Sequence, residues 1–233
     1  MNKNLKILIT GASKGIGKFL FERFLSENYD VFGTYNYNPP QNAVIERFTK
    51  VNVCNITDIQ NWIKKTVSED DDIVLINCAG TNYNAIARKA DIALWTNLID
   101  INLNGTFRTI NAVLPLMYAK GFGRIINFSS VVAQKAVAGT SAYAASKAAL
   151  WGMSRVIAIE NANKNITVNT LNLGYFSTGM TISDVPENVL KTIKEQIPTH
   201  ELGDPENVFQ AVLFLINSEY TTGTSIDING GLF

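Results

Sequence analysis

Histidine is almost missing from this chain of 233 residues, with His200 the single example. A Ser-His-Asp triad or a histidine-rich zinc centre therefore has too little material, and no metal site is expected. Cysteine is nearly as scarce. Cys54 and Cys78 lie far apart, with no Cys-x-x-Cys and no companion histidine. Both read as small buried apolar residues in a reducing compartment. Neither sign of charge is in excess: 20 Lys and Arg stand against 20 Asp and Glu. That balance argues against nucleic acid or an anionic membrane surface as a partner. No apolar run approaches the roughly 18 residues of a membrane span. The short apolar stretch near the N-terminus runs at once into glycines, which does not fit a signal peptide. There is no low-complexity linker, no repeat and no long charge run.

What is present is a rhythm. Strand-like runs fall at 6–10, 31–34, 47–53, 74–77, 124–129, 167–173 and 225–228. Helical patterns fall between them, at 16–28, 58–68, 92–119, 141–163 and 205–218. This alternation predicts an α/β fold: a doubly wound parallel sheet of about seven strands with helices on both faces. The length suits one domain over 1–233 and not two. One segment, 179–203, breaks the rhythm with mixed helical character at Val185, Val189, Ile193 and Ile197. It follows the carboxyl end of a long strand, where open α/β sheets bind ligands, so it is a candidate lid.

The first strand ends in Thr10-Gly11-Ala12-Ser13-Lys14-Gly15-Ile16-Gly17 and a helix follows directly. Gly11 permits a tight turn, Gly15 lets backbone approach a pyrophosphate, and Gly17 lets helix pack on strand. The free N–H groups and the helix dipole then hold phosphate charge. Later in the chain Tyr143 and Lys147 stand four apart within a helical pattern, so phenol and ammonium share a face. A fixed positive charge beside a phenol favours its ionised form, which makes a proton donor and acceptor usable nearer neutral pH. Ser129-Ser130 closes the strand before that helix, and alternation turns the two hydroxyls to opposite sides. The thirteen-residue spacing to Tyr143 favours Ser130 as the partner.

Taken in order, these motifs resemble the short-chain dehydrogenase/reductase family, along essentially the whole chain. The matching positions are 10–17, Asn77-Cys78-Ala79-Gly80, Asn102, Ser130, Tyr143 with Lys147, Gly174-x-x-x-Thr178-x-Met180, and the ending from Thr222-Gly223 through Asn229-Gly230-Gly231. The resemblance implies a single-domain Rossmann fold and an NAD(P)(H)-dependent oxidoreductase that interconverts a ketone and a secondary alcohol. Tyr143 would pass a proton to or from the carbonyl oxygen. Lys147 would lower the phenol's pKa and hold the nicotinamide ribose, Ser130 would orient the carbonyl, and Asn102 would hold a water of a proton relay. Gly11, Ser13, Lys14, Gly15, Ile16 and Gly17 would meet the cofactor, as would Thr34, Asn36, Asn55, Asn77, Ala79, Gly80, Gly174 and Thr178. Two departures stand out: Leu173 where the family has proline, and Cys78 where it has asparagine.

No Asp or Glu follows the second strand, which reads Gly33-Thr34-Tyr35-Asn36-Tyr37, and Lys14 offers a positive charge. The expected cofactor is therefore NADPH rather than NADH. The lid and closing segments resemble the 3-oxoacyl carrier-protein reductase branch, through Ile197-Pro198, Leu202-Gly203 and Pro205-Glu206, although Glu201 replaces that branch's arginine. The expected substrate is a 3-oxoacyl thioester, free or on a carrier. A polar or sugar ketone is the alternative, suggested by Asn82, Tyr83, Asn84 and Gln134. A non-catalytic nucleotide-binding scaffold is the reading from another class, and the intact Asn102, Ser130, Tyr143 and Lys147 argue against it. Family habit further implies a cytoplasmic homotetramer, paired through the two long helices and through the last helix and strand.

Overall fold

The computed structural model describes residues 5–40, 44–179, 181 and 185–233. Seven parallel strands form one sheet in the order β3-β2-β1-β4-β5-β6-β7. They are β1 (Leu5–Thr10), β2 (Asp30–Tyr35), β3 (Phe48–Lys50), β4 (Asp72–Asn77), β5 (Gly123–Ser130), β6 (Ile166–Leu173) and β7 (Ser225–Ile228). The central strands are buried on both faces, as a parallel sheet covered by helices requires. Alternate side chains feed two separate cores. Ile7, Ile9, Val74, Ile76, Ile126 and Leu171 face α1 (Gly15–Ser26) and a C-terminal helix, Pro205–Asn217. Leu8, Ile73, Leu75, Ile125 and Val168 face the other way, onto α2 (Ile56–Thr66) and two longer helices, Gly105–Lys120 and Ser141–Asn161.

Chain order makes α3 Ile92–Ile99, α4 Gly105–Lys120, α5 Ser141–Asn161, α6 Glu187–Gln196 and α7 Pro205–Asn217. Side chains cap three of these helices: Asn55 on α2, Asp91 on α3 and Asp204 on α7. Among the described residues, no helix is long and apolar enough to cross a membrane. At the amino end of the sheet the guanidinium of Arg124, 1% exposed, donates to the carbonyls of Ile216, Gly123 and Asn165. A fourth bond runs to Asn165 Oδ1, and engagement of most of its donors makes burial of that charge tolerable.

Two expectations need correction. The third strand is not 47–53 but only Phe48–Lys50, because Ile45–Arg47 forms a 3₁₀ turn and Asn52 turns the chain through its bond from the Cys54 N–H. The helix read as one piece over 92–119 is interrupted. Residues Asp100–Asn104 form a wide π turn between α3 and α4, with Asn102 at its centre. Such turns are uncommon and cluster at functional sites.

The sheet order reverses between β1 and β4, which opens a crevice at their carboxyl ends. The α1 side of the sheet leans on Phe24, fully buried, with ring centroids of Tyr29 and Phe209 at 5.3 and 4.9 Å. Phe24→Ala should lower the unfolding free energy by about 3–5 kcal/mol in a urea titration. A loss below about 1 kcal/mol would mean that the two helices repack without it.

Candidate active site

At the end of β1 the chain turns through Gly11, with φ of +67°, and Gly15, with φ of +57°. A Cβ on Gly11 would stand 2.8 Å from the Ala79 backbone, and one on Gly17 would run into the Gly11 carbonyl. Thr34, 1% exposed, accepts the Gly11 N–H through Oγ1 at 3.1 Å, while the Ala12 N–H bonds the Thr34 carbonyl at 2.8 Å. Thr34 thus shapes the turn from beneath. Thr10 Oγ1 accepts the N–H groups of both Cys78 and Ala79 at 3.1 Å, which joins the ends of β1 and β4.

Helix α1 opens at Lys14 with no side-chain cap and no acidic residue in its first turn. Its leading N–H groups and the positive end of its dipole face the crevice free of a competing carboxylate. Lys14 is exposed, and Asn36 follows the end of β2. The cradle fits a dinucleotide phosphate: glycines where a side chain would clash, and donors without side-chain acceptors. Asn77 Oδ1, buried and without a partner, is a further acceptor beside it.

Residues 174–179 lie across the same crevice. A Cβ on Gly174 would approach Asn229 Cα to 2.7 Å, and Gly179 packs against Gly15, where an added Cβ would meet it at 3.1 Å. Thr178 is thereby brought over the glycine turn. Met180, and lid residues 180 and 182–184, lie outside the described residues. The neck of the lid is closed by the Ser177 N–H on the Gly203 carbonyl at 3.0 Å and the Gly203 N–H on the Tyr175 carbonyl at 2.8 Å. Asn55 spends its side-chain oxygen on the Thr57 N–H, at the start of α2.

The second half of the site forms around Lys147, which is 7% exposed. Its ammonium donates to the Phe128 carbonyl at 2.7 Å and lies 5.6 Å from the Tyr143 ring centre. Ser130 faces the Tyr143 phenol and favours its ionised form, while its Oγ also accepts the Val132 N–H at 3.4 Å. Asn102, fully buried, grips Thr81 from both sides: its Oδ1 accepts the Thr81 N–H at 2.8 Å and its Nδ2 donates to the Thr81 carbonyl at 2.9 Å. The same Nδ2 reaches Ser146 Oγ at 3.2 Å. A Cβ on Gly80 would lie 3.3 Å from Asn102 Oδ1 and 3.7 Å from Lys147 Nζ, so the two residues meet across that glycine. The sequence missed Thr81, Ser146 and the Phe128 carbonyl, because each acts through main chain or through a residue distant in sequence.

Electrostatics depart from the sequence expectation. Burial pushes the Tyr143 phenol up to about 12, against the lowering effect of Ser130. Burial pulls Lys147 down to about 8. The ammonium is spent on the Phe128 carbonyl, so desolvation outweighs any help to the phenolate. Tyr143 is therefore a proton-loaded acid at neutral pH.

Beside Tyr143 opens a cavity of about 240 Å³. Val131, Val132, Tyr175, Leu232 and the α6 residues Val189 and Ile193 give it a largely apolar lining. Two of the four polar residues expected there are engaged elsewhere: Gln134 donates to Asp227, and the Tyr83 hydroxyl accepts the Asp91 N–H.

The model of the short chain dehydrogenase family matches residues 5–188. The acetoacetyl-CoA reductase of Allochromatium vinosum is 33% identical, over 97% of each chain. The 3-oxoacyl-[acyl-carrier-protein] reductase of Escherichia coli is 34% identical, over 100% of this chain and 99% of the relative. Among solved structures, an actinorhodin polyketide ketoreductase variant with NADPH superposes with a TM-score of 0.90 at 25% identity, covering 100% of this chain and 98% of the other. A 3-oxoacyl-[acyl-carrier protein] reductase from Brucella melitensis gives 0.88 at 28% identity, with 99% and 91% covered.

Both cysteines are free, and each is half-buried rather than fully buried as expected. Burial raises the Cys54 thiol to about 11, with Asp100 adding to the effect, and the Cys78 thiol to about 12. Raised values mean less of the reactive thiolate. Native protein at pH ~8 should thus label with a disulfide reagent at least about a hundredfold more slowly than free cysteine. Rapid labelling of either thiol would contradict this placement.

Proposed function

This chain belongs to the short-chain dehydrogenase family and is an oxidoreductase, and from that premise we propose that it reduces a short 3-oxoacyl thioester to the 3-hydroxyacyl thioester with NADPH. The observation that carries the reading is the neutral, proton-loaded Tyr143, which Ser130 faces and which packs with Val131, Val132 and Leu232, three residues of the cavity wall. When bound, the nicotinamide supplies hydride to the carbonyl carbon. Tyr143 gives its proton to the carbonyl oxygen as negative charge grows there. Ser130 donates to the same oxygen and holds the carbonyl in line. Lys147, charged below about pH 8, stabilises the phenolate left behind, passes it a proton and takes up another from the side of Asn102. A high phenol pKa favours the donor role at neutral pH.

The cofactor would be held by the turn of Gly11, Ser13, Lys14, Gly15, Ile16 and Gly17, by Asn36 and Asn55 at the adenosine end, and by Asn77, Ala79, Gly80, Gly174 and Thr178 nearer the nicotinamide. NADPH is favoured because the chain after β2 carries no carboxylate, and Asp30 at the far end of that strand is paired with Arg47. Apolar residues left in water support self-association as a homotetramer. On α4 and α5 these include Phe107, 48% exposed, and Ile159, 82% exposed, while Phe233 is 71% exposed at the C-terminus.

Acetoacetyl-CoA tests the reading directly. Wild-type protein should oxidise NADPH with it, and Tyr143→Phe should keep NADPH affinity while losing at least about a hundredfold in kcat. Undiminished turnover in that variant would overturn the assignment. Absent turnover in wild type that still binds NADPH would reject the thioester as substrate. Sedimentation should give about four times the 25.6 kDa of the chain, and a monomer at micromolar concentration would refute the assembly.

A further inference from the structure

Three consecutive residues at the end of β5 hold three different groups of the reacting pair. The Phe128 carbonyl accepts the Lys147 ammonium at 2.7 Å. Ser129 Oγ donates to the Lys147 main-chain carbonyl at 2.8 Å. Ser130 faces the Tyr143 phenol. The middle contact has no role in the chemistry described so far. Ser129 is 3% exposed, and alternation along the strand turns its side chain away from Ser130. It therefore meets neither substrate nor cofactor. Nor is its bond needed for the helix, since a carbonyl in the middle of α5 already has its partner four residues on.

Lys147 is thus fastened to β5 at both ends, at its ammonium by Phe128 and at its backbone by Ser129. A four-carbon stem is flexible, and a bond at its tip alone leaves the root free to shift. We propose that Ser129 is a positioning residue, which holds the Lys147 backbone against β5 so that the ammonium stays at the Phe128 carbonyl and in register with Ser130 and Tyr143. The inference rests on the reading of Tyr143 and Lys147 as the reacting pair. The titratable groups facing the ammonium are Tyr143 on its own helix and Cys78 after β4, whose thiol burial keeps neutral. Asn102 faces it across Gly80 with a neutral amide. None of these gives Lys147 a second fixed anchor, so loss of the Ser129 bond has no substitute.

The test compares wild type, Ser129→Ala and Ser129→Thr. The Lys147 side chain is followed by NMR titration of cofactor-free protein carrying labelled lysine, with its signal assigned by disappearance in Lys147→Arg. Wild type should titrate at about 8. In Ser129→Ala, water reaches the ammonium and the value should rise by about one unit. With acetoacetyl-CoA the same variant should lose about tenfold in kcat, with KM within about twofold. Its Tm should fall by no more than about 4 °C. Ser129→Thr, which keeps the hydroxyl, should restore both titration and kcat. An unchanged Lys147 titration in Ser129→Ala overturns the proposal, as does a threonine variant no better than alanine. A wild type that reduces no ketone removes the functional reading, and the titration comparison then still decides on the positioning role.

Discussion

Taking a lysine ammonium out of water costs several kcal/mol, and this protein does so at Lys147 with a single acceptor at its tip. The 2.7 Å bond to the Phe128 carbonyl joins the middle of α5 to the carboxyl end of β5. Much of the site is arranged around it. Ser129 holds the same residue by its backbone, and Ser146 Oγ donates to the Tyr143 carbonyl one turn earlier. Asn102 reaches Ser146 from the π turn and carries Thr81 with it. The loop after β4 is thereby fixed beside the ammonium. A buried polar network of this kind is favourable only when nearly every member is satisfied, so the geometry is specified rather than merely permitted.

The same desolvation divides the labour of the pair. It makes the phenol reluctant to ionise and the ammonium ready to give up its charge. The two effects oppose each other across a gap of 5.6 Å from ammonium to ring centre. A phenol that keeps its proton suits delivery to a developing alkoxide. The apolar cavity beside it suits an acyl tail, and Val189 and Ile193 place α6 in its wall. The segment that carries α6 is joined at its base by main-chain bonds among Tyr175, Ser177 and Gly203, beside the carboxyl ends of the sheet.

How much of this the sequence disclosed depends on range. The glycine turn and the Tyr143–Lys147 pair were legible because their meaning lies within eight residues. So were the seven strands and the two-faced sheet, since alternation is a local signal repeated along the chain. The π turn was not: 92–119 keeps helical periodicity, and its widening at Asn102 answers to Thr81, 21 residues away. The third strand was read too long because Val51 and Val53 are buried without belonging to a regular strand. Thr34 was placed beside the cofactor turn by position, and its hydroxyl accepts the Gly11 N–H of that turn. The polar residues at the strand ends suggested a polar ketone, until Gln134 and Tyr83 proved to be engaged with Asp227 and Asp91. Direction and magnitude of the pKa shifts lay beyond any pattern, because burial sets them and burial is a property of the whole fold.

The most direct measurement is the single-turnover rate of acetoacetyl-CoA reduction at saturating NADPH, followed from neutral pH to the ordinary lysine range near pH ~10. Tyr143 keeps its proton throughout, so Lys147 governs the profile. Its lowered value means that it is charged below about 8 and neutral above. The rate should be level at neutral pH and fall as pH rises through about 8. A rate that stays level past that point and falls only near pH ~10 would show Lys147 to be an ordinary solvated lysine, and would contradict the account.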